Sequence, residues 1–540
     1  VTPYNETILK GIPHMLLQKS TACLALSAIL AIAQEPVDLR VIHQIKTEAF
    51  EDSKVMDHVF YLTDVHGPRL TNSPGHRAAA EWVVKQLTSY GLVNARLEPF
   101  KAFGRSWNYT RYEGNMLTPT YSPLIGYPMA WSEGTNGMVK GEAVLAVLQK
   151  KADLEKFRGK LKGKIALIDP FKELALNDNA LGKRLTDKEL EARSVTPDPS
   201  RMGYPMGNRQ SMLTDLTRND LNKFLKDEGV LVVVRQGYNG DGGTVFATAQ
   251  GSRNAKDPVP PCTIVLTAEH YNRIYRLLDK KQAVELSFDV KAEFLDTTTD
   301  SFNVVAEIPG TTKKNEVVML GGHLDSWHGG TGATDNATGS AIAIEAVRIL
   351  KKLNKPMERT VRIALWGGEE QGLLGSIAYV EDHFAERKTM KLKPDYKNLS
   401  VYFNTDTGTG KYRGIGAGGN LMAKPIFEAW MEPFRDLGFT TISGATSQNT
   451  KRPGGTDHTS FTWVGLPGFG FLQDPIEYST RTHHSNMDVY DRVQKGDLMQ
   501  ASAIMSSFVY HAATRKDMMP RKPAPDPLPA EEPTPTAGAQ

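Results

Sequence analysis

Between about positions 293 and 516 the chain predicts an α/β fold, a mixed but mostly parallel sheet flanked by helices. Three observations carry that prediction. Short apolar runs rich in β-branched residues recur at Val317–Leu320, Val361–Trp366 and Leu399–Phe403. Helical patterns with apolar positions at three-to-four spacing, Ala341–Leu353 and Leu373–Phe384, lie between them, and strands alternating with helices imply parallel pairing through helical crossovers. Each run then breaks into glycines and acids: His323 and Asp325 after the first, Glu369 and Glu370 after the second, Asp406 after the third. Open α/β sheets bind ligands outside the carboxyl ends of their strands, so these side chains mark the expected site.

Bulk composition narrows the alternatives. The 540 residues exceed what one compact core holds, so two domains with appendages are expected. A net charge of +3 gives no basic field for nucleic acid. Two cysteines, Cys23 and Cys262, allow neither a disulfide framework nor a thiolate-rich zinc site.

Taken in order, the chain opens on VTPYNETILKGIPH, which reads as extra sequence ahead of a start at Met15. Lys19, the apolar run Ala22–Ile32 and Ala31-Ile32-Ala33 before Gln34 then form a secretory signal, so residues 1–33 are assigned to a signal with an upstream extension. The run is short for a membrane span of about 20 residues, which points to an exported protein, periplasmic or secreted, with no membrane partner after signal removal. Residues 34–120 form the N-terminal part of the α/β domain. Its stretch Leu39–Leu92 reads as helices, including HRAAAEWVVKQLTSYG with Gly91 as its stop, and Asn94–Phe103 reads as a strand. Residues 121–292 differ in texture: strand-like runs such as EAVLAVL, KIALIDP and VLVVVRQG alternate with polar loops, the mark of an inserted β-rich module. Within it the polar stretch Lys172–Arg218 is expected to be an extended surface loop. The α/β core of 293–516 closes with a helix over Lys495–Ala513, and the proline-rich tail 517–540 is expected to be disordered.

His323, Asp335, Glu369, Glu370 and Asp406 each have an ordinary structural explanation when taken singly. Together at the ends of neighbouring strands they repel unless cations neutralise them. His484, in HHSNMD after the strand-like GFGFLQ, adds a second imidazole from the same edge. Two imidazoles with three or four carboxylates suit a pair of zinc ions, whereas oxygen ligands alone would suit magnesium or calcium. A two-metal site needs a shared carboxylate and an unligated one to act as base, and the pair Glu369-Glu370 offers one ligand and one base.

In this order His–Asp–Glu-Glu–Asp–His the chain resembles metallopeptidase family 28, the co-catalytic zinc exopeptidases, over about Val55–Tyr510. The resemblance implies two Zn2+ per chain and a role for each matching residue. His323 of HLDSW and Asp406 of NTD would hold one zinc, and Glu370 and His484 the other, with Asp335 of ATDN bridging. Glu369 would be the general base of hydrolysis by a metal-activated water. Asp325 would fix the tautomer of His323 by accepting its other ring N–H. His483, beside His484, would stabilise an oxyanion or make a structural hydrogen bond, and Thr456–His458 resembles a further motif near the substrate. The inserted module resembles the family's protease-associated domain. The implied substrates are short peptides with a free terminus, held at either end: Arg413, Arg452, Arg481 and Glu477 are all available to grip a terminal charge. A zinc cyclotransferase or a non-catalytic binding protein on the same scaffold are the alternatives. The sequence leaves the oligomeric state open, and a homodimer is compatible with it. Gly414–Gly419 fits GxGxxG but opens no helix directly after a strand, and neither HExxH nor GxSxG occurs.

Overall fold

The computed structural model describes residues 35–194, 215–237, 240–295, 298–444 and 455–528. The expected signal, Arg452 and the last twelve residues of the tail lie outside them.

The larger unit is an eight-stranded sheet. Its strands in chain order are β1 (Val93–Phe100), β2 (Ser301–Ile308), β3 (Lys313–His323), β4 (Arg359–Trp366), β5 (Leu399–Asn404), β6 (Tyr412–Gly416), β7 (Thr441–Ser443) and β8 (Gly468–Gln473). Across the sheet they run β1-β2-β4-β3-β5-β8-β6-β7. The central four, β4, β3, β5 and β8, are mutually parallel, while β2 and β6 pair antiparallel with their central neighbours. The register sets His323 opposite Trp366 and Gly321 opposite Asn404, so the breaks into acidic residues fall along one edge. Gly321 is required there: a Cβ would lie 1.8 Å from the carbonyl oxygen of Ala364 on β4.

Period-two alternation sorts the strand side chains onto two buried faces, which explains why the strands read as continuous apolar runs. Val318, Leu320, Ile363, Val401 and Phe403 join the core beneath α4 (Thr338–Leu353) and α7 (Lys495–Thr514). Val317, Met319, Ala364, Trp366 and Tyr402 face the opposite core, with Tyr379 of α5 (Leu374–His383) and Phe461 of α6 (His458–Trp463). Ahead of the sheet come α1 (Leu39–Glu51), α2 (Val55–Phe60) and α3 (Pro74–Ser89). Ser73 caps α3 by accepting from the His76 amide, Pro74 fills its first turn, and Gly91 follows it at φ +82°.

A second eight-stranded sheet is built on the long antiparallel pair Ser106–Thr118 and Glu285–Leu295. It takes in residues ahead of position 121, where the sequence places the start of the β-rich module, because Ser106–Thr118 pairs with the returning strand rather than with β1. Helices are more frequent here than the texture of the sequence suggests: Lys151–Phe157, Arg218–Asp227 and Ala268–Asp279 pack around it. Two other expectations are corrected. The described part of the polar stretch from 172 is no free loop. It forms the helix Asp187–Ser194 and straps across to the first sheet, where Arg184 pairs with Asp474 at 2.9 Å and Asp497 at 2.7 Å. Residues 517–528 are not loose either. Buried Met519 donates its amide to Ser400, Arg521 donates to the Tyr396 carbonyl, and Asn420 reaches the Pro520 carbonyl. Donors run both ways, from the segment's Met519 amide and Arg521 guanidinium and from the core's Asn420, so a proline-rich backbone with few amides is still tied down.

Candidate metal centre

His323 ends β3 and is buried. Its Nδ1–H donates to the main-chain carbonyl of Asp325 at 2.9 Å, which leaves Nε2 facing the cleft. Three carboxylates approach that atom: Asp335 Oδ1 and Asp406 Oδ1 at 3.2 Å each, and Glu369 Oε2 at 3.9 Å. The other oxygen of Asp335 lies 3.3 Å from His484 Nε2 and 3.6 Å from His483 Nε2, and His484 Nε2 meets Glu370 Oε2 at 2.8 Å. Asp335 is thus common to two donor groups, His323–Asp335–Asp406 and Asp335–His483–His484. The eight residues assigned to the metal centre, His323, Asp325, Asp335, Glu369, Glu370, Asp406, His483 and His484, lie together around this cleft.

Several local features hold the groups in place. Asp335 sits in a kink just ahead of α4, where it and Asn336 leave helical geometry (φ −134° and −137°), and its peptide to Asn336 is cis. The Asn336 side chain donates to the Thr405 carbonyl and accepts from the Gly339 amide, pinning the start of α4 beside Asp406. Asp488 accepts the amides of Thr334 at 2.6 Å and Asp335 at 3.2 Å. His484 adopts a left-handed backbone (φ +63°), which costs on the order of 1 kcal/mol for a side chain of this kind. The second sheet's connections hold it there: the Ala247 amide donates to the His484 carbonyl at 3.2 Å, and Val245 and Asn486 are doubly bonded.

The expected role of Asp325 needs correction. Its carboxylate lies 3.7 Å from the His323 ring, too far for a hydrogen bond; the main-chain carbonyl fixes the tautomer instead. The carboxylate accepts from the Thr71 hydroxyl at 2.8 Å and from the amides of Glu369 and Glu370 at 3.2 and 3.3 Å, so it orients the glutamate pair. His483 stacks on His484 with centroids 3.6 Å apart, and Tyr478 packs on its other side at 4.8 Å. Of the residues considered for a substrate terminus, Arg413 is paired with Asp474 and Glu477 with Arg492. The Nε of Arg481 is buried without a hydrogen bond.

One residue beside the centre was not identifiable from the sequence. Arg69 is fully buried and donates to four main-chain carbonyls, those of Leu62, Leu324, Thr331 and Gly332, so it locks together the loops on either side of the cleft. Burial lowers its guanidinium to about 10, against the charges of Asp488, Asp325, Asp335 and Glu370. A lone arginine in HGPRLTNS carries no periodicity that would mark it. Asp457, of the Thr456–His458 motif, is buried, and both its carboxylate oxygens lack a hydrogen bond.

The electrostatics show a surplus of acid. Burial, then the charge of Asp335, pushes Glu370 up to about 7. Burial, with Asp406 and Asp457 nearby, holds Glu369 well above the carboxylate range. Burial works against a charged His484, yet Glu370 and Asp335 outweigh it and raise the ring to about 10. His323 is raised for the same reason by Asp406 and Glu369. Asp335 Oδ2 and Glu370 Oε1 are buried without hydrogen bonds. A cavity of about 10 Å3, the room of one water or ion, lies among Asp335, Glu370, His484 and Asp488. Mixed imidazole and carboxylate donors with unsatisfied lone pairs and a shared aspartate fit a divalent metal such as zinc.

Comparison with known proteins shows what the chain is similar to. The family model for peptidase family M28 matches residues 303–509. Carboxypeptidase Q from Homo sapiens is 26% identical over 495 residues, covering 91% of this chain and 90% of that protein. The crystal structure of a peptidase M28 precursor from Shewanella amazonensis superimposes with a TM-score of 0.63 at 24% identity, covering 90% of this chain and 98% of that one. A zinc aminopeptidase from Bacillus subtilis gives 0.54 at 20% identity, covering 86% and 95%.

Proposed function

We propose that the chain belongs to metallopeptidase family 28 and that it is a zinc-dependent exopeptidase or dipeptidase that hydrolyses terminal bonds of short peptides. The shared position of Asp335 between two donor groups is the observation that carries this reading. His323 and Asp406 would hold one ion and Glu370 and His484 the other, with Asp335 common to both; His483 is placed to join the second set. Two zinc ions bound there would supply the Lewis acidity that peptide hydrolysis requires.

The remaining chemistry falls to the chain's own residues. Neither glutamate belongs to the two donor groups, but Glu370 is paired with His484 at 2.8 Å, whereas Glu369 lies 3.9 Å from His323. Glu369 is therefore the group that takes a proton from the attacking water and returns it to the leaving amine. Asp325 aims it by holding its amide. His483, stacked and partly exposed, lines the mouth. The bracing of the His484 loop by residues 245–247 supports a closed cleft that admits chain ends and short peptides rather than folded protein. Its relatives' names include both a carboxypeptidase and an aminopeptidase, so either terminus remains a candidate for the end held. We further propose export, with cleavage before Gln34.

Metal analysis together with a panel of free and end-blocked dipeptides tests the reading. The expected outcome is two zinc ions per chain, hydrolysis lost when one terminus is blocked, and both metals weakened in Asp335→Asn. A single tightly held ion, unchanged by that substitution, would overturn the bridged site. Release of internal fragments from a long peptide capped at both ends would overturn the closed cleft.

A further inference from the structure

At the far end of α4, roughly 20 Å along the helix from its start beside Asp335, a groove of about 760 Å3 opens between α2, α3 and the last turn of α4. That is the size of a small-molecule site. One wall is aromatic. Tyr61 and Trp82 stack at 5.1 Å and 17°, and Phe60 meets Tyr61 edge-on. Phe60 and Tyr61 remain 42% and 41% exposed.

The other wall is cationic. Lys54, Lys351 and Lys352 line the groove, and among the described residues none of their ammonium groups has a carboxylate or hydrogen-bond partner. Asp57 is the one acid on the lining. Arg348 also lines it but is already satisfied, by Glu48 at 2.6 Å and Glu345 at 2.8 Å. The helix dipole accounts for Lys351 and Lys352, which sit in the last turn of α4. It does not account for Lys54, which occupies the N-cap of α2, where the dipole opposes a cation and the side chain caps nothing. At the base, His58 is buried, with Nε2 on the Tyr90 hydroxyl at 2.8 Å. Its Nδ1 makes no hydrogen bond and lies 3.7 Å from Glu345. A local rule broken at Lys54, three unpaired ammoniums and an exposed ring stack meet in one concavity, separate from the metal centre.

We propose that this groove binds a small organic anion that carries a flat ring. The ring packs against the Tyr61–Trp82 stack, and a phosphate or carboxylate group is held by Lys54, Lys351 and Lys352. Calorimetric titration of the intact protein tests this with two probes that separate the anion types: adenosine monophosphate for phosphate and indole-3-acetate for carboxylate. Adenosine and inorganic phosphate serve as half-ligand controls. The expected result is one-to-one binding of at least one probe, about tenfold or more tighter than either control. The double variant Lys351→Ala/Lys352→Ala should weaken it by about tenfold or more, while peptide hydrolysis stays unchanged. Absence of binding by both probes overturns the proposal. So does binding that the double variant leaves intact, which would place the probe elsewhere, or phosphate alone binding as tightly as the ring-bearing anion.

Discussion

Glu369 and Glu370 adjoin in sequence and diverge in the cleft, one standing free beside His323 and the other paired with His484. Glu369→Gln should lower turnover by about 10²–10⁴ while zinc content stays at the wild-type level. Glu370→Gln should release metal, and elemental analysis of both variants beside their rates separates the two roles. Arg69 makes a second prediction at this scale. Arg69→Met strands four buried carbonyls, each worth about 1–3 kcal/mol when left without a donor, so the melting temperature should drop sharply and chelators should strip metal faster. Arg69→Lys, with fewer donors on a single head, should recover only part of the loss. The clustering of His323, Glu369, Glu370 and Asp406 was readable because each closely follows an apolar strand run and differs in kind from its neighbours. The work of Arg69 and Asp325 was not, since both act on main-chain atoms: four carbonyls for the one, two amides for the other. Spacing says nothing about such bonds.

Among the elements, the strands and crossover helices of the core were legible from period and burial alone. Thr338–Leu353 and Leu374–His383 fall within a few residues of their apolar patterns. The strand Ser106–Thr118 was not, because an antiparallel partner about 180 residues downstream decides its sheet, and no local pattern records that pairing. The polar strap and the proline-rich segment after α7 misled for a related reason: both are fixed by contacts with distant parts of the chain, Arg184 with Asp474 in one, and buried Met519 and the bond from Arg521 to the Tyr396 carbonyl in the other. The short helix α2 carries a prediction about acid. Burial lowers His58 to about 4, opposed by Glu345 and reinforced by Arg348. The unfolded chain therefore binds a proton near pH 6.5 that the folded chain refuses until near pH 4. This contribution is complete above pH 6.5 and lost as pH falls toward 4, to the extent of about 3 kcal/mol. Thermal unfolding between pH 7 and 4.5 should show a flatter dependence in His58→Leu than in the wild type, whatever the variant's absolute stability. Parallel curves would assign the acid sensitivity to other groups.

For the molecule as a whole, the two sheets meet over the loop that carries His483 and His484. On one side the strap binds it: Lys183 and Ile476 exchange main-chain hydrogen bonds, Thr480 donates to the Leu181 carbonyl, and Arg184 clasps Asp474 and Asp497. Arg184→Ala should raise KM for dipeptides with little change in kcat and speed proteolytic nicking near 181–187. An unchanged nicking rate would show that the main-chain bonds alone hold the strap. On the other side Val245 and Ala247 grip Asn486 and His484. That grip has a consequence for the order of events during synthesis. His323, Asp335 and Asp406 emerge from the ribosome well before His484, and residues 245–247 earlier still. A nascent chain thus displays four of the five proposed donors, Glu370 among them, long before the last histidine exists, and the left-handed backbone of that histidine is braced by residues 245–247. In the proposed site a full set of metal donors then exists only once translation has passed position 484, so chains truncated upstream would carry an incomplete one.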